Sequence, residues 1–288
     1  MKGIILAGGS GTRLHPATSV TTKQLLPVFD KPMIYYPLSM LMLSDVREVM
    51  IITKPGDREI FSSLLGDGSR FGMEISYKIQ ESPTGIPDAY LLGEDFIGDD
   101  PCILFLGDNI LHGNIQFLRE SLSEFRDGKR GCTVFGYPVG DPERYGVVEF
   151  DESYKVLSLE EKPAQPKSKY AIPGIYISDS QAIEKAKELT ASKRGETEIV
   201  DILKSYMSDG QLTARPISRG VAWLDTGTPL ALLEASNYIH AVESRQGMKV
   251  ACLEECAYQR KFINKTQLLH LADEIKNPDY ANYLRELV

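Results

Sequence analysis

The sequence predicts an α/β fold in which helices cover both faces of a parallel or mixed sheet. Two observations support this class. Over the first 125 residues, short apolar runs that read as buried strands alternate with helical segments, which is typical of strands joined by crossovers. Several of these runs end at glycine and polar residues, as strands that lead into ligand-binding loops do.

The predicted elements can be placed in chain order. Strands are predicted at 4–6, 48–53, 74–80, 102–106, 132–138, 145–150, 156–161, 172–177 and 212–216. Helices are predicted at 32–43, 60–65, 85–97, 115–125, 181–189 and 198–207, and the chain is mostly helical from 229 to its end. The closely spaced strands between 132 and 177 indicate a β-rich lobe rather than further crossovers.

Composition excludes several classes of protein. The chain has 288 residues, of which 42% are apolar, enough to bury a large core. Its net charge of −8 argues against a general nucleic-acid or membrane-surface binder, since both need a basic field. No apolar run approaches the roughly 18 residues of a membrane-spanning helix, and no signal peptide is recognised, so we expect a cytoplasmic protein. The four cysteines form no C-x-x-C pair and are expected to be reduced structural thiols.

The glycine-rich loop after the first strand is the main candidate for a binding site. Gly8, Gly9 and Gly11 leave backbone N–H groups unshielded, so that several amides can converge on an anion. Arg13 adds a guanidinium that fits phosphate oxygens bidentately, and Lys23 follows ten residues later. The loop therefore predicts a phosphate site, although a glycine cluster can also form a simple tight turn.

The spacing of this loop differs from that of two better-known glycine loops. The P-loop is excluded, because no glycine here is followed by Lys-Ser or Lys-Thr at the required distance. The dinucleotide fingerprint requires a glycine where the chain has Leu14, although Asp30 falls near the position of the ribose-binding acid. An NAD(P)-dependent oxidoreductase therefore stays open as the alternative enzyme class.

Two aspartates are candidate ligands of a divalent cation. Asp108, next to Gly107, and Asp225, two residues before Gly227, each lie at the end of an apolar strand, where the loops of an open α/β sheet meet. Mg²⁺ commonly takes one or two protein carboxylates and completes its shell with water and phosphate. Either aspartate alone could instead belong to a turn, because Asp and Gly are frequent turn residues.

The β-rich lobe carries a second polar cluster. Glu161 and Lys162 end one predicted strand, and Tyr145 and Gly146 open a neighbouring strand. A lysine can bind a phosphate while a carboxylate accepts hydrogen bonds from sugar hydroxyls, a combination that suits a sugar phosphate. A solvated run of charges at a strand end is the other interpretation.

The chain carries the motifs A-G-G-S-G-T-R-L, K-Q-L-L-P-V, K-P-M-I-Y-Y-P-L, L-G-D-N, D-P-E-R-Y-G-V-V-E-F, L-E-E-K-P, K-S-K-Y-A, R-G-E-T-E-I and W-L-D-T-G-T. Together they resemble the motifs of glucose-1-phosphate thymidylyltransferases, bacterial nucleotidylyltransferases that make dTDP-glucose. The resemblance extends from residue 1 to the C terminus.

The resemblance implies a Rossmann-like three-layer α/β/α fold with a mixed sheet, a β-rich sugar-binding subdomain and C-terminal helices. It implies an α/β domain over 1–240, with a nucleotide-binding half over about 1–110 and a sugar-phosphate-binding half over about 111–228, and a helical segment over 241–288. It also implies Mg²⁺ as cofactor, dTTP bound before glucose 1-phosphate, and a homotetramer inhibited by a downstream dTDP-sugar.

The same resemblance implies the roles of individual residues. The nucleotide-binding residues would be Leu6, Gly8, Gly9, Gly11, Thr12, Arg13, Gln80, Gly85 and Asp108. The sugar-phosphate-binding residues would be Tyr145, Gly146, Glu161, Lys162, Ile172, Tyr176 and Arg194. Asp108 and Asp225 would bind the metal, and Arg13, Lys23 and Lys162 would act in catalysis.

The chain departs from the resembled pattern near the expected pockets. Pro87 and Asp88 replace the Ala-Gln of G-L-A-Q-A, Pro173 replaces the threonine of A-V-T-G, and Pro229 stands where histidine or tyrosine is usual. We expect an altered tolerance for the hexose and leave open another sugar 1-phosphate or a preference for UTP. A non-catalytic sugar-nucleotide sensor is a further alternative.

Overall fold

The computed structural model describes residues 1–9, 11–192 and 195–288. Its strands are β1 (Lys2–Ala7), β2 (Pro27–Val28), β3 (Lys31–Pro32), β4 (Glu48–Thr53), β5 (Glu74–Ile79), β6 (Cys102–Leu106), β7 (Asn109–His112), β8 (Cys132–Pro138), β9 (Gly146–Phe150), β10 (Val156–Glu161), β11 (Tyr170–Ala171), β12 (Ile175–Ser178), β13 (Leu212–Pro216) and β14 (Ala222–Asp225). Its helices are α1 (Tyr35–Leu43), α2 (Arg58–Leu65), α3 (Asp88–Leu92), α4 (Glu94–Ile97), α5 (Gln116–Arg126), α6 (Gln181–Lys187), α7 (Ile199–Ser208), α8 (Pro229–Gln246), α9 (Leu253–Gln259), α10 (Lys265–Glu274) and α11 (Pro278–Glu286).

Ten strands of the described chain form one mixed sheet. Its order is β10-β9-β11-β8-β12-β6-β1-β4-β5, and β13 pairs with β8. β1 runs parallel to β4 and β6, and β4 runs parallel to β5. β12 lies antiparallel between β6 and β8 and joins this parallel half to the hairpin-rich half. The predicted mixed α/β sheet is confirmed.

Each face of the sheet packs against its own layer of helices, because successive side chains of a strand point to opposite sides. Ile5 of β1 lies in a core that includes side chains of α1, α5, α9 and α10. Ile4 lies in a second core with side chains of α3, α6 and α7. The apolar runs of β1, β4 and β6 are buried for this reason, and the prediction that helices cover both faces is confirmed.

Two helix predictions were wrong in extent. The helix expected over 85–97 is instead the pair α3 and α4, which meet at Gly93. A Cβ on Gly93 would lie 2.9 Å from side-chain atoms of Ile4 and Met50, so the chain turns where its backbone touches the sheet. The helix expected from residue 32 begins at Tyr35, because Lys31–Pro32 forms β3 against β2. Pro37 lies in the first turn of α1, where its missing N–H needs no helical partner.

The chain after residue 229 is mostly helical, as predicted, and packs on the sheet. Pro229 occupies the first position of α8, and the hydroxyl of Thr228 accepts a hydrogen bond from Ala231 N at 3.2 Å. Cys252 and Cys256 lie in the same core as α1. All four cysteines are buried and unpaired, which agrees with structural thiols.

Among the described helices, none is long and apolar enough to cross a membrane.

Candidate active site

A cleft of about 420 Å³ lies at the carboxyl ends of β1 and β6, between the two halves of the sheet. A smaller cavity of about 200 Å³ adjoins it and shares Arg13 and Asp108 with it. Predicted site residues that line the cleft are Arg13, Asp108, Tyr145, Gly146, Glu161, Lys162, Ile172, Tyr176 and Asp225. Those that line the smaller cavity are Gly9, Gly11, Thr12, Arg13, Lys23 and Asp108. The glycine loop therefore meets the loops that carry Asp108 and Asp225, and the roles of these residues stay predictions.

Other predicted nucleotide contacts lie just outside both linings. The carbonyl of Leu6 accepts a hydrogen bond from Gly107 N at 2.9 Å and so belongs to the backbone beneath the cleft. Gly8 faces Gln80, and a Cβ on Gly8 would lie 2.7 Å from Gln80 Oε1. Gly85 precedes Ile86, which does line the cleft. Arg194 lies outside the described residues.

The glycine loop takes its shape from Gly11 and Leu14. Gly11 has φ of 62° in the left-handed region, and its carbonyl accepts hydrogen bonds from Leu14 N at 2.9 Å and Thr18 Oγ1 at 3.0 Å. Leu14 is only 2% exposed and anchors the loop in the protein interior. The leucine that breaks the dinucleotide fingerprint therefore has a structural use, and Arg13 beside it faces both cavities.

Lys23 and Asp108 form an ion pair in the lining of the smaller cavity. Lys23 Nζ lies 2.6 Å from Asp108 Oδ2. The other carboxylate oxygen accepts a hydrogen bond from Asn109 Nδ2 at 3.0 Å, and Thr226 Oγ1 donates to the Asp108 carbonyl at 2.8 Å. A predicted phosphate ligand and a predicted metal ligand are thus held together in the protein itself.

Asp225 reaches the same place through a strand pairing that the sequence did not reveal. β14 pairs antiparallel with β7, so that Asp225 lies opposite Asn109 and next to Asp108. Its Oδ1 accepts a hydrogen bond from Gly227 N at 3.0 Å, and its Oδ2 lies 3.5 Å from Arg144 Nη2. Two residues 117 positions apart in sequence are neighbours because of this ladder.

The donor set fits a hard divalent cation. Asp108 and Asp225 provide carboxylate oxygens on the wall of one cleft, and Mg²⁺ needs no more than one or two such ligands when phosphate and water complete its shell. The described residues contain no cluster of three or more His, Cys, Asp or Glu side chains of the kind that binds zinc or calcium. The site therefore suits a metal that arrives with a phosphate ligand.

The loop predicted to recognise the base is fixed to the half of the chain that is predicted to bind the sugar phosphate. Gly85 has φ of 123° and pairs with Thr197, whose carbonyl would lie 2.1 Å from a Cβ at residue 85. Thr197 N and Oγ1 donate to the Thr84 carbonyl at 2.8 and 3.0 Å. Gln80 extends from the end of β5 and is 6% exposed.

The residues predicted to bind the sugar phosphate lie mainly on the β9–β10 hairpin. Gly146 lies opposite Glu161 in the ladder, and a Cβ on Gly146 would lie 3.2 Å from Glu161 Oε2. Lys162 follows with φ of 44°, a left-handed conformation that turns the chain at the strand end. Its N–H donates to the Tyr145 carbonyl at 3.0 Å, and its ammonium lies 3.6 Å from Glu161 Oε1.

Ile172 and Tyr176 are buried residues in the lining of the cleft. Ile172 N donates to the Gly146 carbonyl at 2.7 Å, which joins β9 to the next loop. Tyr176 is buried, and burial together with the charge of Glu161 raises the pKa of its phenol, so the hydroxyl stays neutral. Pro173 cannot donate a backbone hydrogen bond, and its carbonyl accepts one from Ile175 N at 2.6 Å.

Asn109 is the residue that sequence reasoning missed. Its Oδ1 accepts hydrogen bonds from Gly174 N at 3.1 Å and Trp223 Nε1 at 2.6 Å, and its Nδ2 donates to Asp108. One amide thus joins the loop after β6, the sugar-side loop and β14. The only signal was its place in the L-G-D-N motif. Trp223 in turn packs edge-on against Tyr145, with ring centroids 5.1 Å apart.

Comparisons with known proteins agree with this arrangement. The family described as Nucleotidyl transferase matches residues 2–242. The chain is 50% identical over 288 residues to the glucose-1-phosphate thymidylyltransferase of Neisseria gonorrhoeae. This alignment covers 100% of the present chain and 99% of that protein. It is 51% identical over 286 residues to the enzyme of the same name from Xanthomonas campestris, covering 99% of this chain and 96% of that protein.

A solved structure with a similar fold also belongs to a protein named as a glucose-1-phosphate thymidylyltransferase. A Bacillus anthracis protein that carries glucose-1-phosphate thymidylyltransferase as a provisional name, in complex with sucrose, superposes with a TM-score of 0.76 at 44% identity. The match covers 83% of this chain and 94% of that chain. The chain therefore belongs to the nucleotidyl transferase family, and its resemblance to the glucose-1-phosphate thymidylyltransferases within that family is confirmed.

Proposed function

We propose that the protein transfers a thymidylyl group from dTTP to α-D-glucose 1-phosphate, giving dTDP-glucose and pyrophosphate, with Mg²⁺ as cofactor. The observation that carries this proposal is the cleft itself. Arg13 and Lys162 line it together with the carboxylates of Asp108 and Asp225, in a chain whose net charge is −8. A local set of cations in an acidic protein suits two polyanionic substrates, and the names of the full-length relatives agree with that substrate pair.

The reaction is an in-line displacement at the α-phosphorus. A phosphate oxygen of glucose 1-phosphate forms a new bond to this phosphorus while the bond to the β-phosphate oxygen breaks, and pyrophosphate leaves with the electron pair. A sugar phosphate is already an anionic nucleophile near neutral pH, so no general base is needed. The protein then has to align two anions and offset their repulsion.

Arg13 and Lys23 serve the triphosphate in this proposal. Arg13 lies at the junction of the two cavities, where its fork can span phosphate oxygens. Lys23 is directed into the smaller cavity by its contact with Asp108. Asp108 and Asp225 would hold Mg²⁺, which supplies charge neutralisation at the reacting phosphate when bound.

Lys162 and Arg194 serve the sugar phosphate. Lys162 lies just after β10, beside Glu161, whose carboxylate would accept hydrogen bonds from hexose hydroxyls. Tyr176 and Ile172 give the hexose an apolar wall. Pro173 removes one backbone donor from this wall, which supports a wider or shifted hexose tolerance than that of relatives with threonine at this position.

The resemblance further suggests a homotetramer that a dTDP-sugar inhibits. Helix α8 supports self-association, because Leu230 and Leu233 are 64% and 57% exposed. Light scattering on the purified protein should give four times the mass of 32.1 kDa. A monomer in solution would contradict this part of the proposal.

A pyrophosphate-release screen tests the proposed reaction. We would assay dTTP, UTP, dCTP, ATP and GTP against glucose, galactose, glucosamine and N-acetylglucosamine 1-phosphates in the presence of Mg²⁺. We expect dTTP with glucose 1-phosphate to have the highest kcat/KM and UTP to follow at a modest distance, because the thymine methyl adds only about 1 kcal/mol of burial. A preference for a purine triphosphate would refute the pyrimidine assignment.

The alternative functions give different outcomes in the same experiments. A preference for UTP or for another sugar would change the substrates but keep the reaction. Binding of dTDP-glucose without turnover would identify a sensor. Protection from thermal unfolding by NAD⁺ but not by dTTP would favour the oxidoreductase, which is disfavoured because Leu14 occupies the place of a required glycine.

A further inference from the structure

The amide of Gln80 is held by the helix that follows its loop. Gln80 Nε2 donates to Asp88 Oδ2 at 2.9 Å and lies 3.4 Å from the Gly85 carbonyl oxygen. Gln80 is 6% exposed, so its amide nitrogen is poorly placed to form hydrogen bonds with water instead. Asp88 is the first residue of α3 and departs from the glutamine that relatives commonly have there.

Both neighbours of the amide nitrogen are hydrogen-bond acceptors, which fixes its orientation. A carboxylate and a carbonyl accept hydrogen bonds and donate none. If the amide of Gln80 were turned over, its Oε1 would face Asp88 Oδ2 at 2.9 Å and two acceptors would repel each other. The nitrogen therefore faces Asp88, and Oε1 faces the glycine loop, 2.7 Å from where a Cβ on Gly8 would lie.

Within the described part of the chain, no donor contacts Gln80 Oε1, so this atom is an acceptor available to a ligand. We propose that Asp88 is a positioning residue that sets base specificity by holding Gln80 with only its carbonyl oxygen presented to the base. This inference rests on the proposed function and adds a residue to it. Thymine and uracil carry an N3–H donor that pairs with Oε1, whereas cytosine has an acceptor at N3 and is refused.

A free glutamine amide can pair with both a donor and an acceptor on the edge of a pyrimidine. The structure shows that its donor half is already used by Asp88 and Gly85. A glutamine at residue 88 could donate as well as accept, so it would not force this orientation. The pairing of Gly85 with Thr197 fixes the loop that leads into α3, which keeps Asp88 within reach of Gln80.

Asp88→Asn tests the proposal. Asparagine has nearly the same shape but can donate to Oε1 of a turned amide, so both orientations of Gln80 become available. We expect the ratio of kcat/KM for dTTP to that for dCTP to fall at least about tenfold, with an unchanged KM for glucose 1-phosphate. Glu81→Gln is the matched control, because it removes one negative charge from the same loop at an exposed position and should keep the wild-type ratio.

A reciprocal exchange separates orientation from general damage. Gln80→Glu alone places two carboxylates at 2.9 Å and should weaken dTTP use. Gln80→Glu combined with Asp88→Asn restores a donor at 88 and an acceptor facing the base, so dTTP selectivity should recover relative to either single variant. An unchanged dTTP to dCTP ratio in Asp88→Asn, or no recovery in the double variant, would overturn the role of Asp88. Lack of dTTP turnover in the wild-type protein would instead overturn the proposed function.

Discussion

The two lysines predicted to bind phosphate lie in different surroundings. The side chain of Lys23 is 6% exposed, and its ammonium is held 2.6 Å from Asp108. The side chain of Lys162 is 52% exposed, and its ammonium lies 3.6 Å from Glu161 in a looser contact. The proposed nucleotide side is thus largely preformed, whereas the proposed sugar side leaves its main cation exposed to solvent. This difference fits the ordered binding, nucleotide first, that the resemblance implies.

The largest effects should come from the carboxylates between the two sides. Asp108→Asn and Asp225→Asn should each lower kcat by about 10²–10³-fold, because loss of one charged ligand weakens Mg²⁺ binding and misplaces the α-phosphate. Pyrophosphate release measured across a range of Mg²⁺ concentrations is the test. Near-wild-type rates for both variants at low Mg²⁺ would contradict the metal assignment.

The same pair should differ in stability. Asp108→Asn leaves the ammonium of Lys23 buried without its anion, so we expect a loss of about 1–3 kcal/mol in the free energy of unfolding, moderated by the partial exposure of Asp108. Asp225→Asn leaves no buried cation without a partner and should keep the wild-type free energy of unfolding. Denaturant titration of both variants makes the comparison.

Replacement of each lysine should separate the two substrates. Lys23→Met should lower kcat about 10²-fold even at saturating substrates, since the triphosphate is involved in every turnover. Lys162→Ala should chiefly raise the KM for glucose 1-phosphate, by about tenfold or more, with a smaller loss in kcat. If Lys162→Ala altered only the KM for dTTP, the two sides would be assigned the wrong way round.

A glycine substitution should disconnect the base loop from the sugar side. Gly85→Ala would place a Cβ 2.1 Å from the Thr197 carbonyl, so the loop has to move and the KM for dTTP should rise about tenfold. Gly98→Ala is the control, because Gly98 also has positive φ but has no atom within 4 Å of an added Cβ. Equal kinetic effects in both variants would show that backbone strain, and not the contact with Thr197, is responsible.

The smallest effect concerns the backbone of Lys162. Lys162→Gly and Lys162→Ala both remove the ammonium, but only alanine keeps a Cβ at φ of 44°. The glycine variant should be more stable to denaturant by roughly 1 kcal/mol while both lose the same activity. A more stable alanine variant would argue against strain at this position.

Much of the fold could be predicted from local patterns, because the periodicity of apolar residues indicates which positions are buried and glycines mark where strands and helices end. The mixed sheet, its helical layers and the meeting of Arg13 with Asp108 and Asp225 were predicted on that basis. The break at Gly93 was missed, since its cause is a contact with Ile4 and Met50 from distant strands.

Long-range contacts explain what the sequence could not show about the site. The ladder between β7 and β14 sets Asp225 opposite Asn109, and no local pattern contains that register. The hydrogen bond from Gln80 to Asp88 was equally hidden, although both residues were recognised separately. The role of Asn109 depends on three loops at once and became visible only when they were brought together.

The ion pair of Lys23 with Asp108 implies that nucleotide and cation bind cooperatively. An ammonium that already neutralises a carboxylate makes it a poor ligand for Mg²⁺, so the metal alone should bind weakly. Triphosphate oxygens can receive the ammonium and release the carboxylate, and thermodynamic linkage then requires each ligand to strengthen the other by the same factor. Calorimetric titration of Mg²⁺ with and without dTTP, in the absence of sugar phosphate, should reveal this coupling, and Lys23→Met should reduce it. Equal Mg²⁺ affinity under both conditions in the wild-type protein would show that the lysine does not compete for the carboxylate.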